Sequence, residues 1–95
     1  MCTTAQKNKL YKALAHTTRR QIIRMLRESP GLTSSQLALN FEMSRIAVLG
    51  HINALESAEI IVREQVGRKR TWYYNPVPIQ RIHSYWIEDY AVELG

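Results

Sequence analysis

The residues best equipped for chemistry in this chain are cations placed beside a glycine or at the start of a helix pattern. Gly67-Arg68-Lys69-Arg70 sets three cations directly after a glycine, and Arg45 follows Ser44 at the head of an apolar-periodic run. Guanidinium and ammonium groups in such positions bind phosphate, and a guanidinium can also pair with guanine O6 and N7 in the major groove. Arg19 and Arg20 form another basic pair, and Arg63 stands a few residues before the glycine cluster. Thirteen Lys and Arg oppose eight Asp and Glu, for a formal charge of +5. No acid precedes Glu28, whereas Glu88, Asp89 and Glu93 crowd the end of the sequence. This asymmetry predicts a side that faces a polyanion and an opposite end kept away from it.

Other chemistries are poorly served. There is no nucleophile–base–orienter set, no phosphate-cradling glycine loop and no paired carboxylates in a cleft, so the sequence predicts no enzyme and no cofactor. Glu88 and Asp89 are adjacent and, on a helix, face different directions. The single cysteine, Cys2, excludes an intrachain disulfide and a metal site built from several thiolates, and is read as an unremarkable thiol. No stretch reaches the roughly 18 apolar residues of a membrane span, and the first residues lack the apolar run of a signal peptide. The expectation is a cytoplasmic protein with no membrane partner and no small-molecule substrate.

These cations need elements to hold them. The 95 residues are enough for one domain, read as 1–95, with a modest core. Leu10, Tyr11 and Leu14 predict a helix over about Thr4 to Ala15. Thr17 and Thr18 are expected to cap a second helix with an Ile22, Ile23, Leu26 stripe, stopped at Ser29-Pro30-Gly31. Thr33 and Gln36 have capping-box spacing and open a short helix to about Asn40. Ser44 caps a fourth helix running to about Ala58, with Val48, Ile52 and Leu55 turned inward.

The period then changes. Ile60 to Gln65 and Thr71 to Tyr74 are β-type runs around the Gly67–Arg70 turn, which predicts a hairpin with a basic tip. Asn75-Pro76 ends it, and Val77 to Leu94 is expected to be a last helix. The order predicts a mostly α fold of about five helices with a β-hairpin wing, a winged helix-turn-helix.

Three fragments, LYKALAHTTRRQIIRMLRE, TSSQLALNFEMSRIAVLGHINALESAEII and VGRKRTWYYNP, together resemble the ArsR-type winged-helix transcriptional repressors, from about Leu10 to Tyr90. The resemblance implies a homodimer joined through the first and last helices, a recognition helix in the major groove and a wing on the DNA backbone. Leu10, Tyr11, Ile82, Tyr85, Trp86 and Tyr90 are the expected dimer contacts. Independently, Tyr85, Trp86, Ile87 and Tyr90 give the last helix more apolar surface than one small core covers. Many such repressors sense metals through cysteines in the third helix or ligands along the last. Here the third helix has no cysteine, and His83, Glu88, Asp89 and Glu93 do not form a clear four-ligand set. No metal site is expected, and His16 and His51 are read as packing or hydrogen-bonding residues.

On the recognition helix the expected outward face is Arg45, Ile46, Leu49 and Asn53, capped by Ser44. Arg45 is the strongest base reader, while Ile46 and Leu49 can contact thymine methyl groups. Gly50 allows close approach to a phosphate at a helix-propensity cost of ~1 kcal/mol relative to alanine. Arg19, Arg20, Arg68, Lys69 and Arg70 are the expected phosphate contacts. The sequence thus predicts a dimeric regulator, a repressor, on a pseudo-palindromic operator. The competing reading is a winged-helix protein-interaction module that has lost DNA reading and docks a partner through Ile46, Leu49 and the terminal aromatics.

Overall fold

The structure, a computed structural model, describes residues 3–86. Cys2, Ile87, Glu88, Asp89, Tyr90 and Glu93 lie outside the described residues, as do the side chains of Tyr85 and Trp86. The elements are α1 (Thr4–Leu14), α2 (Thr17–Glu28), α3 (Ser34–Ala38), α4 (Arg45–Ser57), β1 (Ile61–Val66), β2 (Lys69–Tyr74) and α5, described over Val77–Trp86. The described residues form a winged helix-turn-helix, with five helices and an antiparallel hairpin.

Caps define most helix starts. Thr33 and Gln36 exchange both hydrogen bonds of a capping box at α3, and Ser44 accepts from the Ala47 N–H at α4. A second capping box, Thr3 with Gln6, opens α1. At α2 the expected threonine cap does not form: His16 occupies the cap position and its side chain makes no capping bond. Thr17 and Thr18 instead lie inside the first turn. α3 ends at Ala38 rather than near Asn40, because Asn40 and Phe41 donate to Leu37 and Ala38 in short-range turns that tighten the chain into α4.

The end of α4 is a Schellman motif. Glu59 N–H donates to Glu56 C=O at 2.9 Å, and Ile60 N–H to Leu55 C=O at 3.0 Å. Glu59 takes the left-handed backbone position (φ 61°) that this motif usually gives to glycine. Leu55 and Ile60 are fully buried, which supplies the apolar contact that accompanies the motif. Asn75 locks the same corner: its N–H donates to Ile60 C=O and its Nδ2 to Glu59 C=O. The Asn-Pro pair after β2 therefore ties the base of the hairpin to the end of α4.

β1 and β2 pair from Ile61↔Tyr74 to Val66↔Lys69. The turn is Gly67-Arg68 alone, with Gly67 at φ 61°, so Lys69 and Arg70 belong to the strand rather than to the turn expected for them. A third, one-residue rung joins the sheet where Leu32 bridges Trp72. Gly31, at φ 86°, donates to Trp72 C=O, and a Cβ there would stand 3.0 Å from the Tyr73 hydroxyl. The rung fixes the start of α3 to the wing. Ile22, Leu26, Leu37, Val48, Ile52, Leu55, Ile60 and Ile61 form the fully buried centre, so both helices of the helix-turn-helix share one core with α2 and β1.

Leu10 and Ile82 are closed inside this core at 4% and 8% exposure. Expected at a subunit interface, they pack within the single chain where α1 meets α5, because that pair needs its own apolar seam. Tyr11 is exposed on α1.

Candidate nucleic-acid interface

A groove runs between the start of α3, one face of α4 and the hairpin, with Trp72 also on its wall. Arg45, Leu49 and Asn53 line it from α4, and Arg63, Arg68, Lys69 and Arg70 from the wing. Ser34 and Ser35 border it from α3. Among the described residues the side chains of Arg45, Arg68, Lys69 and Arg70 make no intramolecular hydrogen bond or ion pair, so their charges are available to a partner. No acid occurs in the first turn of α3 or α4. Such a groove can bind a polyanion by charge and offer α4 to base edges.

Two residues of the groove wall, Trp72 and Arg63, are engaged by Glu56, a residue the sequence did not single out. Its Oε2 accepts from the Trp72 indole N–H at 3.0 Å, and its Oε1 lies 3.9 Å from Arg63 Nε. One carboxylate thus fixes the end of α4 to both strands, Arg63 and Trp72 being paired across the hairpin. The trace in the sequence is slight: Glu56 is the one acid on α4.

The face of α4 is divided. Ile46 is 81% exposed, Arg45 and Asn53 are exposed, and Gly50 has nothing within 4 Å of a notional Cβ. Gly50 therefore answers no packing demand among the described residues. Leu49 is only partly exposed and packs against the core while also lining the groove. Leu39, at the end of α3, is 87% exposed.

Arg19 and Arg20, expected on phosphates, have partners within the fold. Arg20 donates to Leu14 C=O at 2.7 Å, and Arg19 to Lys12 C=O at 3.2 Å, a carbonyl that also accepts the Ala15 N–H, so both guanidiniums engage carbonyls of the last turn of α1. Arg19 Nε also donates to His51 Nδ1 at 3.1 Å, and the His51 and His16 rings stand 5.6 Å apart. Burial, then the charges of Arg19 and His16, hold the His51 pKa below its ordinary 6.5. The neutral ring is the form that can accept from Arg19. No cluster of three or more candidate metal ligands occurs among the described residues.

Comparison with known proteins agrees with this geometry. The sequence model of the family described as "Bacterial regulatory protein, arsR family" matches residues 16–62, from the start of α2 into β1. YuzN of Bacillus subtilis, an HTH-type transcriptional regulator, is 30% identical, with 86% of this chain and 96% of the relative covered. The transcriptional repressor SdpR of Bacillus subtilis is 29% identical over 77% of this chain and 80% of its own. The crystal structure of the ArsR-family regulator RHA00566 superposes with a TM-score of 0.88 at 28% identity, covering 99% of this chain and 96% of that one. The chain belongs to the ArsR family of bacterial regulatory proteins and is a DNA-binding transcriptional regulator of the winged helix-turn-helix kind.

Proposed function

We propose that the protein is a homodimeric repressor that lays α4 into the major groove of a pseudo-palindromic operator and clamps the flanking backbone with its wing. The observation that carries this reading is the groove of unpartnered cations flanking the exposed face of α4. Arg45 supplies base readout, Ile46 meets a thymine methyl, and Asn53 reaches a flanking base or phosphate. Leu49, held by the core, forms an apolar wall at the groove rather than a freely reaching reader. Arg68, Lys69 and Arg70 contact phosphates and so position the protein without specifying sequence. Arg19 and Arg20 act mainly by fixing α1 on α2.

Dimerisation joins the α1–α5 sides of two copies, with the buried Leu10–Ile82 seam stiffening each half and Tyr11 available at the surface. The two recognition helices then reach half-sites about one helical turn, ~34 Å, apart. Occupying a promoter in this way excludes polymerase. A protein-docking role has Leu39 and Ile46 in its favour, since both are large, apolar and open.

Two variants separate these roles. Arg45→Ala is expected to relax sequence preference, at a cost of ~1–3 kcal/mol on the best duplex. The triple Arg68/Lys69/Arg70→Ala variant should weaken all duplexes and flatten the dependence of log K on log salt by about 0.9 per lost phosphate contact. DNA binding unchanged in both variants would refute the assignment.

A further inference from the structure

A cavity of about 250 Å³ lies away from the DNA face, where α1, the end of α4 and α5 meet. It is smaller than the ~300–1,000 Å³ typical of drug-sized ligand sites, and so suits a compact metabolite. Leu10, Ala58 and Pro78, all buried, give it an apolar floor. Lys9 lines it from α1, Arg81 from α5, and Glu59 from the end of α4.

These three charges are of mixed sign, yet they do not neutralise one another. Among the described residues no ion pair joins Glu59 to Lys9 or Arg81, and no side-chain hydrogen bond engages any of the three. Opposite charges arranged around one cavity but too far apart to pair are complementary to a ligand that carries both signs. The Schellman motif contributes to this: the left-handed backbone at Glu59 spends the usual glycine position on a carboxylate residue at the cavity wall.

We propose that this cavity binds a free α-amino acid, its carboxylate held by Lys9 and Arg81, its ammonium by Glu59, and its side chain over Leu10 and Pro78. The bound ligand would bridge α1, α4 and α5, so its occupancy bears on the recognition helix through the wall at Ser57 and Glu59. Binding itself does not rest on the DNA reading and is measured without DNA.

The test titrates the full-length protein with each proteinogenic amino acid in turn, by calorimetry and by NMR chemical-shift perturbation. At least one is expected to bind saturably, with shifts centred on residues 57–59, 78 and 81. Arg81→Gln and Glu59→Gln should each weaken that binding by about tenfold or more, the loss of one charge-assisted contact, while the NMR spectrum remains that of a folded chain. The deaminated analogue of the same ligand should bind as weakly to wild type as the amino acid does to Glu59→Gln. No saturable binding of any amino acid up to about 10 mM would overturn the proposal. So would undiminished affinity in both variants, or equal binding of the deaminated analogue.

Discussion

Replacing Glu56 by alanine is expected to loosen the wing from the recognition helix, and the cost follows from what the carboxylate touches. Its hydrogen bond from the Trp72 indole is charge-assisted and 3.0 Å long. Trp72 is 4% exposed, so water does not readily replace the lost acceptor. A hydrogen bond to a charged group contributes about 1.5–3 kcal/mol, a range that includes the stranded donor. The Arg63 contact, at 3.9 Å with both side chains partly exposed, adds at most about 1 kcal/mol. Glu56→Ala should therefore cost about 2–3 kcal/mol, which for a chain of this size lowers Tm by about 10 °C or more. Glu56→Gln keeps an acceptor for the indole and should cost about 1 kcal/mol. Thermal and urea unfolding would be compared at one fixed protein concentration, since association shifts apparent stability. An alanine variant within about 0.5 kcal/mol of wild type would refute the reasoning, as would a glutamine variant as damaged as alanine.

Three further outcomes are expected. Glu59→Gly should stabilise the chain by about 0.5–1 kcal/mol in urea unfolding, because relief of the left-handed strain exceeds the added freedom of the unfolded glycine. Gly50→Ala should raise stability by about 1 kcal/mol, since its Cβ meets open space, while weakening DNA binding if a phosphate approaches that turn; tighter binding would argue against the close approach. For His51, the folded pKa lies below the unfolded value of 6.5, so the folded state binds the proton less readily. Its stabilising effect is present above pH 6.5 and is lost as pH falls through the lowered value. His51→Gln should remove that acid-side loss, read as a flatter urea midpoint as pH falls below 6.5.

Local signals in the sequence carried most of the fold. The Thr33–Gln36 and Ser44 caps and the Val48-Ile52-Leu55 stripe each state their element within a few residues and form as read, while the glycine turn forms at Gly67 but is two residues shorter than read. What escaped reading depends on distance. The Leu32–Trp72 rung is a single residue long and has no period to detect, and the Glu56–Trp72 bond joins residues sixteen apart. Glu59 is not the glycine that ordinarily announces a left-handed cap. Arg19 and Arg20 looked like free charges because a sequence does not show where the carbonyls of α1 point; the fold folds those carbonyls back onto them. The same limit applied to Leu10 and Ile82, whose apolar character fits an interface as well as the core that encloses them. The groove was legible at its charged tips, Arg45 and Arg68 to Arg70, and not in the Glu56 contacts that tie α4 to Trp72 and Arg63 on its wall.

The central claim is that the α4–wing groove reads a specific duplex. Fluorescence anisotropy across a salt series, comparing DNA from just upstream of the protein's own coding region with a scrambled duplex, tests it most directly. Tight, salt-sensitive binding is expected that favours the upstream duplex by a margin that persists as salt rises, because base contacts remain after phosphate contacts are screened. Equal affinity for both duplexes at every salt concentration, or no binding even at low salt, would contradict it.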